Sequence, residues 1–212
     1  MKNLLKIIAV AILLIIVTVS CKKEVNFSVV TPPETPEKGV VINGVKWATR
    51  NVDKPGTFVA KSENAGMLYK WNRKTGWSST NPITNTNGGT KWDITEADGD
   101  TWEKENDPCP KGWRVPTREE LQSLVATGSE WVTRNGIKGR IFGNDNNAVF
   151  FPAVGYRYSS NGTLESVGSE GVYWSATPNG SENAYYMTFG NMSARTDYDP
   201  HNNGFSVRCV AE

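Results

Sequence analysis

Hydrophobic and polar positions are distributed in three different ways along this chain of 212 residues. Residues 7–19 form an almost unbroken apolar run of thirteen positions. Residues 21–39 are rich in proline and charged side chains and poor in large apolar ones. From residue 40 onward, short apolar stretches recur between turns rich in glycine and asparagine. The pattern therefore predicts three parts, at residues 1–20, 21–39 and 40–212.

The third part is predicted to start with a hairpin and to contain many short strands. Asn43 and Gly44 separate two short apolar stretches, and this residue pair is the strongest short-range hairpin signal. Between residues 72 and 107 no hydrophobic period of 2 or 3.6 persists, so a long loop held by its tryptophans is predicted there. Strand-like patterns follow at residues 148–158, 171–177, 183–189 and 204–210.

The predicted strands at 171–177, 183–189 and 204–210 can be described more closely. Residues 178–180 read Pro-Asn-Gly, so a turn is expected there, between the strands at 171–177 and 183–189. The final stretch, GFSVRCV, alternates apolar and polar residues. Because side chains alternate across a strand, Cys209 is predicted to face the core and Arg208 the opposite side.

One helix is predicted, at about residues 118–127. Thr117 and Glu120 have the spacing of a capping box, in which each side chain bonds the backbone of the other residue. Leu121, Leu124 and Val125 follow at spacings that place them on one helix face. Gly128 is expected to end the helix.

The first part has the layout of a secretory signal. Lys2 and Lys6 precede the apolar run, which is shorter than the roughly 17–25 residues of a membrane span. Residues 18–21, TVSC, resemble a bacterial lipobox. The resemblance implies cleavage before Cys21 and lipidation of that cysteine. The alternative is an uncleaved N-terminal anchor, and in either case the rest of the chain leaves the cytoplasm.

Residues 21–39 are expected to form a flexible tether, because they cannot bury enough apolar surface to offset the entropy of ordering. The sequence Cys-Lys-Lys-Glu followed by such a tether resembles outer-membrane lipoproteins of Bacteroidetes-type bacteria. This resemblance implies anchorage to the outer membrane through lipid on Cys21. It leaves open whether the domain faces the periplasm or the cell exterior.

Composition excludes some classes of partner and of site. The whole chain has a formal charge of +1, and without residues 1–20 it has 21 basic and 22 acidic side chains. Such a balanced chain has no basic field for nucleic acid, and no nucleic-acid partner is expected. It has twenty glycines, eight tryptophans and one histidine, which argues against a histidine-rich metal site.

Once Cys21 is lipidated, Cys109 and Cys209 remain, and Cys109 could be a nucleophile, a metal ligand or half of a disulfide. Two leftover cysteines in an oxidising compartment usually pair, so a disulfide between them is expected. Catalysis by Cys109 would require a nearby base, and His201 is the one histidine in the sequence.

Other candidate binding residues lie in polar segments. Trp77, Trp92 and Trp102 are candidates for stacking on a ligand, although at least one of them is expected to anchor its own loop. Tryptophans inside strand-like segments, such as Trp113, are expected in the core. A cluster of oxygen donors could bind calcium or form a polar turn, and it consists of Asp145, Asn146 and Asn147. No other cofactor is expected.

Five segments resemble, in the same order, the Fibrobacter succinogenes major paralogous domain, a family of secreted and lipoprotein modules. They are INGVKWATRNV, DPCPKGWRVPTREEL, FFPAVGYR, YWSAT and GFSVRCV. The second and last also resemble the frame shared by C-type-lectin-like and formylglycine-generating-enzyme-type domains. The resemblance implies an α+β, C-type-lectin-like domain with small twisted antiparallel sheets, one main helix and long ordered loops. It also implies that the last strand returns beside the first.

The resemblance carries no established activity. The sugar motifs of calcium-dependent lectins are absent, since the chain has Asn81-Pro82-Ile83 and Trp92-Asp93-Ile94 instead. We therefore expect a non-enzymatic cell-envelope lipoprotein that binds a carbohydrate or protein partner at its surface. One alternative is an enzyme on a formylglycine-generating-type frame that uses Cys109 and Cys209. The other is a structural subunit of a surface fibre or complex.

Overall fold

The computed structural model of this protein describes residues 36–95, 99–144 and 146–212. The predicted signal peptide, Cys21, most of the tether and Asp145 lie outside the described residues. The described residues belong to one compact unit, Glu34–Glu212, which has its own core. Where the structure describes the chain, no helix is both long and apolar enough to cross a membrane.

The described residues form an α+β domain of short antiparallel sheets with one α-helix, as the sequence predicts. The helix is α1 (Arg118–Ala126), and a short 3-10 helix covers Lys104–Asn106. The strands are β1 (Val40–Ile42), β2 (Val45–Trp47), β3 (Met67–Tyr69), β4 (Gly76–Ser78), β5 (Trp113–Arg114), β6 (Ser129–Arg134), β7 (Ile137–Asn144), β8 (Asn147–Pro152), β9 (Tyr156–Arg157), β10 (Leu164–Glu165), β11 (Gly171–Asn179), β12 (Asn183–Phe189), β13 (Ala194–Pro200) and β14 (Val210–Ala211).

These strands pair in small groups. The largest sheet has the order β1-β2-β14-β5, and two three-stranded sheets have the orders β6-β7-β8 and β11-β12-β13. The pairs β3-β4 and β9-β10 complete the set among the described residues. Because each sheet is small, the core is formed mainly by side chains that reach between sheets. One buried cluster surrounds Trp71, Trp174 and Cys209, and the other surrounds Trp47 and Phe151.

The largest sheet joins the two ends of the domain. Asn43 and Gly44 form the predicted turn between β1 and β2, with φ angles of 49° and 80° as a type I′ turn requires. Val210 of β14 pairs with Trp47 on one side and with Arg114 on the other. The last strand thus returns to the N-terminal hairpin, where it lies beside β2, the second strand of that hairpin.

Helix α1 confirms the capping-box prediction. The Glu120 backbone N–H donates to Thr117 Oγ1 at 3.3 Å, and the Thr117 backbone N–H donates to Glu120 Oε2 at 2.8 Å. Leu121 and Leu124 are buried on the predicted face. The helix ends at Ala126, one residue before the expected end.

Two strand predictions need correction. The expected turn at residues 178–180 lies later, because β11 continues through Pro178 to Asn179, past a register shift between Trp174 and Pro178. The expected strand at 204–210 is regular only from Val210, and Arg208 is buried as completely as Cys209. This segment crosses the interior, where the backbone carbonyls of residues 205, 206 and 207 each accept a bond from a different part of the chain.

Candidate functional site: the disulfide cleft

The two cysteines of the domain form a disulfide, as expected. Cys109 and Cys209 are 100 residues apart in sequence and are bonded at 2.03 Å. Cys209 is fully buried beside the last strand, whereas Cys109 is half-buried at the surface. The exposed side of the disulfide therefore belongs to Cys109, which lies in the segment DPCPKGWRVPTREEL.

Asp107 shapes the backbone around Cys109. Its Oδ1 accepts the Cys109 N–H at 2.8 Å, and its Oδ2 accepts the Val115 N–H at 3.0 Å. Burial raises the pKa of Asp107 above its ordinary value, against the lowering effect of these two donors. The carboxylate therefore holds both ends of the loop from residue 109 to residue 115.

A cleft of about 530 Å³ opens beside this loop. We call it the disulfide cleft, and its lining includes Trp102, Asp107, Cys109, Lys111, Trp113 and Glu212. Its volume lies within the range of roughly 300–1,000 Å³ that is usual for small-ligand sites. It lies against the residues singled out by the sequence around Cys109.

Two tryptophans line the disulfide cleft in different ways. Trp113 is half-buried, with its ring edge-on to Phe58 at 5.7 Å. Trp102 is 9% exposed and packs edge-on against Trp71 at 5.5 Å. Its indole Nε1 has no hydrogen-bond acceptor among the described residues. This nitrogen has almost no accessible surface, so it is not available to a ligand in the cleft.

The charges around the cleft are mostly paired. Lys104 Nζ lies 3.5 Å from Glu212 Oε1, and Arg114 makes a two-bond contact with Glu120 at 2.6 and 2.8 Å. The bond to Glu120 raises the pKa of Arg114 above its ordinary value. Lys111 is exposed and makes no ion pair within the described part of the chain. The cleft lining thus holds one cation, Lys111, without an ion pair among the described residues, and the carboxylate of Asp107 lies in the same lining.

The structure does not bring the three predicted ligand-stacking tryptophans together. Trp102 lies at the disulfide cleft, whereas Trp77 and Trp92 pack against each other with ring centroids 4.7 Å apart. Both are buried, and Trp92 Nε1 donates to the Ser159 carbonyl at 2.9 Å. In this conformation Trp77 and Trp92 anchor their loops, and a ligand role for the three rings stays a prediction.

Two of the predicted metal ligands, Asn146 and Asn147, also lie outside the lining of the disulfide cleft. Asn147 is the exposed first residue of β8 and the exposed Asn146 directly precedes it, whereas Asp145 lies outside the described residues. Over residues 36–95, 99–144 and 146–212, no group of three or more His, Cys, Asp or Glu side chains could hold a metal ion. The calcium site stays a prediction. His201 is buried and stacks on Trp71 at 4.1 Å.

Sequence reasoning did not single out Asp107 or Lys111. It placed Trp113 in the core, and the structure has Trp113 half-buried and packed against the core cluster around Trp71. A signal was nevertheless present, because Asp107, Cys109 and Trp113 belong to one short segment in which prolines flank the cysteine. Prolines restrict the backbone on either side of Cys109, and Asp107 accepts the backbone N–H groups of Cys109 and Val115. What the spacing could not show is how far Trp113 emerges from the core.

Fold and cleft together define a disulfide-closed α+β module with a ligand-sized concave surface. Residues 58–211 match the family described as the Lcl C-terminal domain. Since this match covers most of the chain, the chain belongs to the Lcl C-terminal domain family. No curated protein and no solved structure matches it.

Proposed function

We propose that this chain is a non-enzymatic cell-envelope lipoprotein whose folded domain binds an extracytoplasmic ligand in the disulfide cleft. The observation that carries the proposal is the composition of that cleft. It combines the half-buried ring of Trp113, the carboxylate of Asp107 and the charge of Lys111, which makes no ion pair among the described residues. A few polar groups placed around an apolar surface are typical of a site that binds and orients a ligand.

The chemistry of the cleft favours a carbohydrate over a purely apolar ligand. A sugar ring has an apolar C–H face that packs on an indole and hydroxyl groups that both donate and accept hydrogen bonds. Trp113 offers the ring, Lys111 Nζ offers a donor, and Asp107 offers acceptor oxygens. The disulfide and the bonds that Asp107 accepts from Cys109 and Val115 fix the cleft before binding, which reduces the entropy lost on association.

The envelope location is part of this proposal and depends on the lipobox-like residues 18–21. Lipid on Cys21 would anchor the chain to the outer membrane, with residues 21–39 as the tether. The C-type-lectin-like assignment and the similarity to the Fibrobacter succinogenes major paralogous domain also belong here. They are supported by the N-terminal hairpin, the capped helix after the Arg-Val-Pro-Thr turn, and the last strand beside that hairpin.

The binding proposal is tested with residues 34–212 on arrays of glycans and envelope proteins, followed by titration calorimetry of any hit. Trp113→Ala should weaken binding by about tenfold or more, because it removes the ring against which the ligand packs. Trp131→Ala is the matched control, since Trp131 is also half-buried but lies on β6, outside the cleft lining. Absence of any hit, or equal effects of the two variants, contradicts the proposal.

The lipid anchor has its own test. Cells that express the full chain should incorporate labelled palmitate into it, and Cys21→Ala should abolish the label and release the protein from membranes. Retention of the label in that variant would show that Cys21 is not the acylated residue.

Alkylation distinguishes this proposal from the alternative, a thiol enzyme on a formylglycine-generating-type frame. With Cys109 and Cys209 bridged, neither thiol is available, and alkylation of the denatured domain should require prior reduction. Labelling of both cysteines without reduction would favour the enzyme instead, and copper binding would then be measured.

A further inference from the structure

Strand β6 (Ser129–Arg134) lies at the edge of the sheet β6-β7-β8, and none of its residues lines the disulfide cleft. It pairs with β7 over its whole length without a register shift. Its other edge has no strand partner among the described residues. The strand contains no proline, glycine or bulge, which are devices that keep an edge from pairing with a further strand. The edge of β6 is therefore open to pairing.

The direction of the backbone groups on β6 follows from the bonds of the next strand. The Ala153 N–H donates to the Lys138 carbonyl at 2.8 Å, so the backbone of Lys138 on β7 faces β8 and the residue after it. Thr133 lies opposite Lys138 and therefore does not share backbone bonds with it. Because bonding alternates along an antiparallel ladder, the N–H and carbonyl of Thr133 and of Trp131 point away from β7.

These four backbone groups form the free part of the edge. Facing away from β7, they make no hydrogen bond to any other described part of the chain. The next group along this edge, the Ser129 carbonyl, accepts Arg140 Nη1 at 3.1 Å. A strand that paired here would bond the backbone of Trp131 and of Thr133.

The side chains of β6 are complementary to those of a second β6. Glu130 and Arg134 are exposed, and neither makes an ion pair among the residues that the structure describes. The half-buried Val132 lies between them on the same face of the strand. In an antiparallel pair with the two Val132 side chains opposite each other, Glu130 of each copy lies opposite Arg134 of the other. Opposite charges and an apolar pair then meet across the contact.

Other registers of two copies are less favourable. Two identical antiparallel strands are related by a two-fold axis. An axis at Glu130 or at Arg134 places like charges opposite each other, which is destabilising. An axis at Trp131 or at Thr133 leaves both charges without a counter-charge. An axis between two residues sets an outward-facing residue against one that faces β7, so only the axis at Val132 satisfies charges and backbone together.

Strand β13 (Ala194–Pro200), which also lies at a sheet edge, differs from β6 in each of these respects. The Tyr198 N–H already donates to Asp197 Oδ1 at 3.0 Å, and Arg195 is already paired with Asp197 at 3.4 Å. The strand ends at Pro200, which has no N–H to donate. Its backbone and charges are thus partly satisfied within one copy, and β13 serves as the comparison edge.

We propose that two copies of this chain associate through their β6 edges, with the two-fold axis at Val132. Trp131 of each copy exchanges two backbone hydrogen bonds with Thr133 of the other, and the sheet becomes continuous in the order β8-β7-β6-β6-β7-β8. The same surface is used by both copies, so association stops at the dimer. The contact is small compared with the roughly 1,200 Å² of a stable complex, so the dimer is weak.

Sedimentation velocity of residues 34–212, from micromolar to millimolar concentration, tests the dimer. We expect a monomer–dimer equilibrium without larger species, and weaker association at high salt. Glu130→Arg and Arg134→Glu should each weaken association about tenfold, because each places like charges opposite each other twice in the dimer. Arg195→Glu is the matched control, since it makes the same charge change at an exposed position on the β13 edge.

Charge reversal at both positions should restore the dimer. The double variant Glu130→Arg, Arg134→Glu again has opposite charges across the axis, and it should associate like the unmodified domain. An equimolar mixture of the two single variants should likewise form one-to-one pairs. Within one copy these side chains lie four residues apart on a strand, about 13 Å, which is too far for an ion pair. Restored association therefore reports a contact between copies.

Cross-linking tests the register. Cys109 and Cys209 are bridged, so Val132→Cys adds a single free thiol to the domain. Directly opposite residues have Cβ atoms about 4.5–5.5 Å apart, and mild oxidation should give a covalent dimer. Thr133→Cys is the control, because the two Thr133 positions are offset by two residues and lie beyond the roughly 7 Å Cα reach of a disulfide.

Three results would each overturn the proposal. The first is a domain that stays monomeric at millimolar concentration, which would also leave the edge to a strand from another protein. The second is a double charge variant that associates no better than the single variants, although circular dichroism shows all of them folded. The third is a Thr133→Cys variant that cross-links as readily as Val132→Cys.

Discussion

Among single residues, Arg208 shows how the interior accommodates a charge without a carboxylate partner in contact. It is fully buried, and its Nε and Nη2 donate to Asn51 Oδ1 at 3.0 and 2.6 Å. Other donors reach the carbonyls of Ala48 and Phe150, and the guanidinium lies 4.3 Å from the Phe151 ring centroid. Burial lowers the pKa of Arg208 to about 10. Neutral oxygens and a ring face therefore replace the water that Arg208 loses on folding.

Replacing Arg208 with leucine is expected to lower the free energy of unfolding by about 3–5 kcal/mol. The change leaves several buried acceptors without a donor, and each unpaired group costs roughly 1–3 kcal/mol. The measurement is urea unfolding followed by fluorescence. Arg195→Leu is the control, because Arg195 is exposed and its ion pair with Asp197 is a surface contact expected to contribute under about 1 kcal/mol. A loss for Arg208→Leu no larger than the control would contradict this account.

Asp199 is expected to make the domain less stable as the pH rises from about 4 to about 6. Burial first, and the neighbouring charge of Asp197 second, raise the pKa of Asp199 from 3.8 to about 6. In this interval the folded state binds more protons than the unfolded state, so unfolding becomes easier as pH increases. Asp199→Asn should remove this contribution and stabilise the domain at pH 7 by about 1–2 kcal/mol, given partial solvent screening.

Thermal unfolding of the Asp199→Asn variant and the unmodified domain between pH 4 and pH 8 measures this effect. The two stability curves should separate as the pH rises through the interval and then run parallel. Asp100→Asn, at an exposed position, is the control that should leave the curve unchanged. Parallel curves for Asp199→Asn over the whole range would show that Asp199 does not titrate in this way.

At the level of elements, the sequence was most informative where a local interaction determines the structure. The Asn43-Gly44 turn and the Thr117–Glu120 capping box depend on neighbouring residues, and both were predicted correctly. The second hairpin, between β6 and β7, has the same signal in Asn135-Gly136, with φ angles of 50° and 82°. It was not predicted, although the residue pair is visible in the sequence.

The remaining errors come from contacts between distant segments. Residues 204–209 look like one alternating strand, yet they run between elements and are buried on both sides. Pro178 looks like a turn residue, yet it pairs with Ala184 inside the β11–β12 ladder. Likewise, the disulfide cleft required Cys209, Glu212 and Trp102 to approach residues 107–115, and no local pattern specifies that approach.

The capping box gives a prediction at this scale. Thr117→Ala should lower the free energy of unfolding by about 1 kcal/mol, because the Glu120 N–H at the start of α1 loses its acceptor. Thr117→Ser retains a hydroxyl and should stay close to the unmodified domain. Guanidinium unfolding of both variants measures the change in the free energy of unfolding. Equal stability of the alanine and serine variants would show that the cap contributes little.

At the level of the whole molecule, the disulfide closes most of the domain into one covalent loop. Cys109 and Cys209 enclose α1 and every strand from β5 to β13. Cys209 also directly precedes β14, which pairs with β2 of the N-terminal hairpin. The disulfide therefore connects the covalently closed loop to the sheet β1-β2-β14-β5, which joins both ends of the domain.

Removal of the bridge by the double change Cys109→Ser and Cys209→Ser should cost about 4–5 kcal/mol of stability. The chain-entropy relation gives this value for a loop of 100 residues, before any strain is considered. Guanidinium unfolding with and without a reductant provides the measurement. The unmodified domain should weaken on reduction, whereas the double variant should be insensitive to the reductant. Insensitivity of both proteins would mean that the bridge is absent in solution.

The covalent loop also determines how the domain would respond to mechanical traction. If a tethered copy is pulled while a ligand occupies the disulfide cleft, tension enters at residue 39 and leaves beside Cys109. Unfolding of the strands between the two cysteines adds no length to the stretched chain, because the disulfide keeps Cys109 and Cys209 together. Extension is therefore limited to the residues before Cys109 and after Cys209.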